Sequence, residues 1–204
     1  MNGVPEYDLF GDVLPAAPPV RQPRTAPAQP RHTWFFALRP GAADAARIDA
    51  VAARLMALHG VTGKRTGPDR LHVTLDLVGH DDLAADTLAA ASAAADAVRL
   101  PAFDARFDAA MTFDAPSGPF VLLGGGGLDA VRALRTALGC ALADQGLKLP
   151  LPYEPHLTLG YDPRHRVART PIEPLAFRCT GFSLVRSHIG LSRHEVLRSW
   201  PLGD

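Results

Sequence analysis

His72-Val73-Thr74-Leu75 and His156-Leu157-Thr158-Leu159 are two copies of one pattern: a histidine, an apolar residue, a threonine and a leucine. Each lies in an alternating apolar run that reads as a β-strand, about Leu71 to Val78 for the first and Tyr153 to Tyr161 for the second. Successive strand side chains point to opposite faces, so His72 and Thr74 share one face and Val73 and Leu75 the other. The same parity places His156 with Thr158. One copy would carry little information, because Thr is common in strands. Two copies on matched strands predict a pair of imidazoles, each with a hydroxyl beside it.

Working outward, both copies sit in the same context. The aromatic strand Trp34-Phe35-Phe36-Ala37-Leu38, a helix over Ala42 to His59 and the first His strand form one series. The strand Phe120 to Leu123, a helix over Leu128 to Gln145 and the second His strand form another. From Phe36 to His72 is 36 residues, and from Phe120 to His156 is also 36. Matching order and matching span predict a duplication. The expected fold is α+β, with two pseudo-symmetric lobes, each a small antiparallel sheet with helices on its outer face, and an active site in the cleft between them. Leu71, Val73, Leu75 and Leu77 would face the helices, and His72 and Thr74 the cleft. Further elements are an Ala-rich helix over Asp81 to Val98, strands at about Ala102–Phe107 and Ala109–Phe113, and two closing strands, Ala176–Arg186 and Glu195–Trp200. Gly124 to Gly127 precedes a helix but lacks the Lys-Ser/Thr ending of a P-loop and the spacing of a dinucleotide fold, so it reads as a turn.

Composition sets the outer limits. The chain has 204 residues, 47% of them hydrophobic and 21% charged, which suffices for a packed core. The formal net charge is zero, which argues against a strongly basic, sequence-indifferent duplex binder. Lys64 and Lys148 are the only lysines; the other basic residues are arginines, which suit bidentate phosphate contacts. Cys140 and Cys179 fall in a predicted helix and a predicted strand and form no C-x-x-C pair, so they read as free thiols of a reducing compartment. No residue cluster has metal-ligand spacing, and no cofactor is expected. Met1 to Pro19 has no basic n-region and no long apolar run, and no stretch approaches transmembrane length, which predicts a soluble cytoplasmic protein with no membrane partner. A monomer is expected.

Residues 1–32 are rich in Pro, Ala and Arg and read as a flexible tail ahead of a folded domain over 33–204. Inside the tail, Glu6-Tyr7-Asp8-Leu9-Phe10 resembles the Leu-Phe-ended peptides with which bacterial proteins dock onto the sliding clamp of DNA replication. Glu6 stands where those peptides begin with glutamine.

Two imidazoles suit hydrolysis of a phosphodiester. One accepts a proton from water while the other gives one to the departing oxygen, and in an in-line displacement these oxygens lie on opposite sides of phosphorus. Thr hydroxyls beside them can donate to the non-bridging oxygens. The six remaining histidines, at 32, 59, 80, 165, 188 and 194, fall in the tail, at element ends, in a polar loop or beside a turn, and read as structural or solvated.

These residues resemble the two-histidine (2H) phosphoesterase superfamily, and within it the bacterial 2′-5′ RNA ligase or RNA 2′,3′-cyclic phosphodiesterase (LigT-like) family. The resemblance is carried by Trp34-Phe35-Phe36-Ala37-Leu38, Arg70-Leu71-His72-Val73-Thr74-Leu75, Pro155-His156-Leu157-Thr158-Leu159 and the ending Glu195-Val196-Leu197-Arg198-Ser199-Trp200-Pro201-Leu202, over residues 33 to 202. It implies metal-independent hydrolysis of a 2′,3′-cyclic phosphate at an RNA end or on a small cyclic nucleotide, leaving a 2′-phosphate. It implies His72 as proton donor, His156 as proton acceptor, and Thr74 and Thr158 as holders of the phosphate. Two alternatives stand beside it: 2′-5′ ligation of RNA at the same site, and a non-catalytic module binding RNA ends or nucleotides. Many members carry an Arg two or three residues after the second motif, where this chain has Gly160-Tyr161-Asp162. Arg70, which strand parity puts on the face of His72, Tyr161 and Arg39 are the candidate substrate-binding residues in its place.

Overall fold

The computed structural model describes residues 32–147 and 153–203. The clamp-like cluster at Glu6–Phe10 lies outside them. The elements run in chain order as β1 (His32–Leu38), α1 (Ala42–Leu58), β2 (Lys64–Arg65), β3 (Val73–His80), α2 (Ala85–Ala97), β4 (Phe103–Thr112), β5 (Pro119–Leu123), α3 (Asp129–Asp144), β6 (Leu157–Tyr161), β7 (Thr170–Cys179), β8 (Gly181–His188) and β9 (Arg193–Pro201). Single 3-10 turns at Pro68–Arg70 and Gly126–Leu128 precede β3 and α3.

The two expected sheets are joined into one. Its order is β7-β4-β5-β6-β3-β1-β8-β9, with β2 paired to β6, and every pairing between these strands is antiparallel. The halves β6-β5-β4-β7 and β3-β1-β8-β9 mirror one another outward from a junction where Val73 of β3 pairs Leu157 of β6. These are the same position in the two copies of the motif, so the pseudo-twofold axis passes between them. The helices interlock the halves. Ile48, Ala52 and Met56 of α1 pack toward β6, and the buried Val131, Leu134, Leu138 and Leu142 of α3 lie toward β3 and β4. Each repeat's helix therefore covers the other repeat's His strand, and one core runs beneath both halves. Two smaller apolar clusters, Phe35 with Ala37 and Val185, and Ala109 with Val121 and Leu123, lie outside that core, one in each half.

Several local expectations are corrected. β1 starts at His32, a residue assigned to the tail, because His32 pairs His188 of β8. The closing region forms three strands, since the chain breaks at Thr180 between β7 and β8. The two strands at 102–113 are one strand, β4, with an irregularity between Phe107 and Ala109. In β3, Thr74 pairs Ala37 and Asp76 pairs Phe36, so Leu75 is the extra residue of a bulge. The bulge reverses parity beyond it: Leu77 pairs Phe35 and is 43% exposed, while Asp76 is buried on the core side. The glycine run does serve as a turn, because a Cβ at Gly124 or Gly127 would lie within 2.7 Å of the Arg106 carbonyl oxygen.

Candidate active site

The junction of β3 and β6 builds the site. With Val73 opposite Leu157, antiparallel register sets His72 beside Thr158 and His156 beside Thr74. Each histidine thus faces the threonine of the other copy. Val73 and Leu157 point into the core and are fully buried, so parity turns all four functional side chains to the opposite face. In such a ladder the diagonal spacing, here His72 to His156, is roughly 7–8 Å, room for one phosphate group.

Both imidazoles are fixed the same way. His72 Nδ1 lies 2.7 Å from the Arg70 carbonyl oxygen, and His156 Nδ1 lies 2.8 Å from the Glu154 carbonyl oxygen. A carbonyl can only accept, so each Nδ1 carries the hydrogen and Nε2 is the nitrogen left for chemistry. Arg132 of α3 ion-pairs Glu154 at 3.2 Å and so ties down the segment that holds His156.

The surroundings of the two rings differ. Phe35 stacks on His72, with centroids 5.0 Å apart, and His194 meets it edge-on at 5.1 Å. His156 is half-buried, with the edge of Phe113 at 4.8 Å and an exposed hydrogen bond to Glu154. Burial, helped by the nearby His156, Arg39 and Arg70 charges, holds the His72 imidazole down at about 4, against the pull of its bond to the Arg70 carbonyl. Burial, then His72, Arg70 and Arg39, holds His194 down to about 4 as well, against Asp69. Both rings are neutral at pH 7.

A polar cluster backs Thr74 from the core side. The Tyr153 hydroxyl donates to the Thr74 carbonyl oxygen at 2.6 Å, and Arg135 Nε donates to the Leu75 carbonyl oxygen at 3.2 Å. The Arg135 guanidinium lies 4.4 Å from the centre of the Tyr153 ring. These bonds take up the carbonyls at the bulge. Burial pushes the neighbouring Asp76 carboxyl up to about 6, against Arg135 and the Leu77 backbone N–H, and it also raises the Tyr153 phenol, which stays a donor.

A cavity of about 410 Å³ opens from His72 and Thr158, lined also by Lys64, Arg70, Tyr161, His188, Ser192 and His194. Arg70 reaches it, though not by strand parity: it ends a 3-10 turn, and β3 begins three residues later. Tyr161 stands at its rim, 38% exposed. Arg39 is not among the lining residues; it donates to the Asp69 carbonyl oxygen at 2.7 Å and acts on His72 and His194 only through its charge. Thr74 and His156 sit outside this cavity, across the junction. His188 and His194, read as structural or solvated, both line it. No motif marks them; β8–β9 pairing of Ser187 with His194 carries them there.

The segment after the second motif has a structural task. Asp162 accepts from the Arg164 backbone N–H at 3.0 Å and from the Thr62 and Gly63 N–H groups at 2.9 and 3.1 Å, bonds that hold its carboxyl below the usual range. This clamp docks residues 62–65 on β6, where Lys64 pairs Tyr161. A Cβ at Gly63 would lie 1.9 Å from the Tyr161 carbonyl oxygen, so only glycine allows that approach. The cation beside the second motif is therefore Lys64, delivered from a distant loop. Among the described residues, no group of three or more His, Cys, Asp or Glu is placed to hold a metal ion, and no helix is long and apolar enough to cross a membrane.

A family model described as the 2′-5′ RNA ligase superfamily matches residues 40–190. No curated protein sequence matches the chain. Among solved structures, Escherichia coli LigT complexed with 3′-AMP is similar at a TM-score of 0.70 and 25% identity, over 86% of this chain and 100% of that one. A structure described only as a phosphoesterase is similar at 0.68 and 25% identity, again over 86% and 100%. A Thermus thermophilus protein, TT0787, at 0.62 and 23% identity over 84% and 99%, shares the fold. The doubled motif meeting itself at one strand junction agrees with these matches, and the chain belongs to the 2′-5′ RNA ligase superfamily, whose members are two-histidine phosphoesterases.

Proposed function

We propose that this chain hydrolyses 2′,3′-cyclic phosphates, at RNA ends or on small nucleotides, to 2′-phosphomonoesters by paired-imidazole acid–base catalysis without a metal. The observation that carries this reading is the matched pair of Nδ1–carbonyl bonds at His72 and His156, which leave two Nε2 atoms on one face of the β3–β6 junction. His156 accepts a proton from water as the water oxygen bonds to phosphorus. The bond from phosphorus to the 3′ oxygen breaks on the far side, and His72 donates a proton to that oxygen. The products are a 3′-hydroxyl and a 2′-phosphate. The protonated His156 and neutral His72 then exchange protons with solvent. Thr158 and Thr74 donate to the non-bridging oxygens, where charge builds.

One observation favours a second reading of the roles. With burial holding its imidazole neutral, His72 is ready to accept a proton, which fits His72 as the base.

The test is incubation with a nucleoside 2′,3′-cyclic phosphate in EDTA. The expected product is the 2′-phosphate. A 3′-phosphate, or loss of turnover on chelation, refutes the proposal. Joining of RNA ends without hydrolysis would point to ligation at the same site instead.

A further inference from the structure

The cavity beside His72 has a chemistry that cyclic-phosphate cleavage alone does not use. Its lining includes two cations, Lys64 and Arg70, and no carboxylate, in a chain with as many acidic as basic residues. Neither cation has an ion-pair partner among the described residues. Lys64 Nζ donates to Ser192 Oγ at 2.9 Å, which aims the ammonium across the cavity mouth from β2 to the β8–β9 turn. Two further lining residues, Thr66 and His194, each hold a buried polar atom, Oγ1 and Nδ1, with no hydrogen-bond partner among the described residues. At the rim, Tyr161 and Ile189 expose apolar surface, 38% and 39%, suited to the face of a base. About 410 Å³ sits at the lower end of ligand cavities, enough for one nucleotide unit.

We propose that this cavity holds the nucleoside of the terminal nucleotide, and that Lys64 with Ser192 binds the phosphate on its 5′ oxygen, so that the protein selects a nucleotide chain end over a bare nucleoside cyclic phosphate. The inference rests on the cyclic-phosphodiesterase reading for the position of the reacting phosphate. Asp162 and Gly63 take part by docking the Lys64 loop on β6.

The test is equilibrium binding of two product analogues, adenosine 2′-monophosphate and adenosine 2′,5′-bisphosphate, to the full chain at low salt. They differ only in the 5′ phosphate. A charged hydrogen bond predicts that the wild type binds the bisphosphate about tenfold or more tightly. Lys64→Ala should bring the two affinities together, and Ser192→Ala should narrow the gap. The readout is a ratio within one protein sample, so partial unfolding of a variant cancels. Equal affinities in the wild type, a ratio that survives Lys64→Ala, or no binding of either nucleotide overturns the proposal. Because no turnover is needed, a protein that prefers the bisphosphate but never cleaves a cyclic phosphate would sink the phosphodiesterase reading and leave this subsite standing. A protein that cleaves the cyclic phosphate and ignores the 5′ phosphate would do the reverse.

Discussion

His72→Ala should cost far more activity on a cyclic nucleotide than on an aryl phosphodiester. Burial holds the His72 imidazole at about 4. At pH 7 that leaves about one molecule in a thousand protonated there, a cost of about 4 kcal/mol. A proton donor so seldom charged needs the substrate to restore its proton. A phosphate anion roughly 4 Å from the ring, at an effective dielectric near 20, contributes about 4 kcal/mol. The two magnitudes match, so the His72 limb should move from about 4 in the pH profile of kcat/KM to near neutrality in that of kcat. Removing the donor should then cost about 10²–10⁴-fold on a ribose leaving group. An aryl ester departs as a stable phenolate and needs no proton, so the same variant should lose only a few-fold on it. His156→Ala should be crippled on both substrates, because water still needs its base. Equal damage to His72→Ala on both substrates, with His156→Ala spared on the aryl ester, would refute this assignment and make His72 the base.

Other outcomes follow from the same geometry. The folded-state values of His72 and His194 lie below the ordinary 6.5, so the native state binds fewer protons than the unfolded state between about 4 and 6.5. Their contribution is present above that window and is lost as pH falls through it; His194→Phe should flatten the acid side of a Tm–pH curve, and an unchanged slope would count against it. Asp76 runs the other way, raised from 3.8 to about 6, so its stability is lost as pH rises through that range. Asp76→Asn should raise Tm at about pH 7 and leave it unmoved at about pH 3.5, below both values; equal gains at both would point to packing instead. Tyr153→Phe removes the bond to the Thr74 carbonyl and should lower stability by about 1 kcal/mol in urea unfolding, with kcat falling more than KM rises. Asp162→Ala should release residues 62–65, lowering Tm by several degrees and weakening binding of the 2′,5′-bisphosphate through the displaced Lys64.

Periodicity and repetition made the centre of the site legible. Parity put His72 with Thr74 and His156 with Thr158 on the face away from the core, and equal 36-residue spans identified the duplication. Parity failed where the backbone left the regular ladder. A bulge at Leu75 exposed Leu77 and buried Asp76, and a 3-10 turn carried Arg70 to the cavity by a route unrelated to strand alternation. What stayed invisible was set by pairings between distant residues. Lys64 joins Tyr161 from far along the chain, and His194 reaches His72 through the β8–β9 hairpin. Lys64 carried a faint sign as one of two lysines among many arginines, while His194 belonged to no pattern at all.

Duplication by itself yields two interchangeable histidines, and the repeated motif does not say which is the acid and which the base. The asymmetry comes from what each half packs against its ring. Phe35 and His194 enclose His72, while among the described residues His156 has one aromatic ring beside it, Phe113. Enclosure penalises the charged form of the His72 imidazole. The residues that separate the two roles are thus Phe35 and His194, neither of which belongs to the repeated motif. His194 also lines the cavity, so a ligand there touches the group that sets the state of His72. On the proposed placement of the terminal nucleoside, its binding and the readiness of His72 to exchange a proton are joined through one ring, and a change at His194 should alter both the pH profile and the affinity for adenosine 2′-monophosphate.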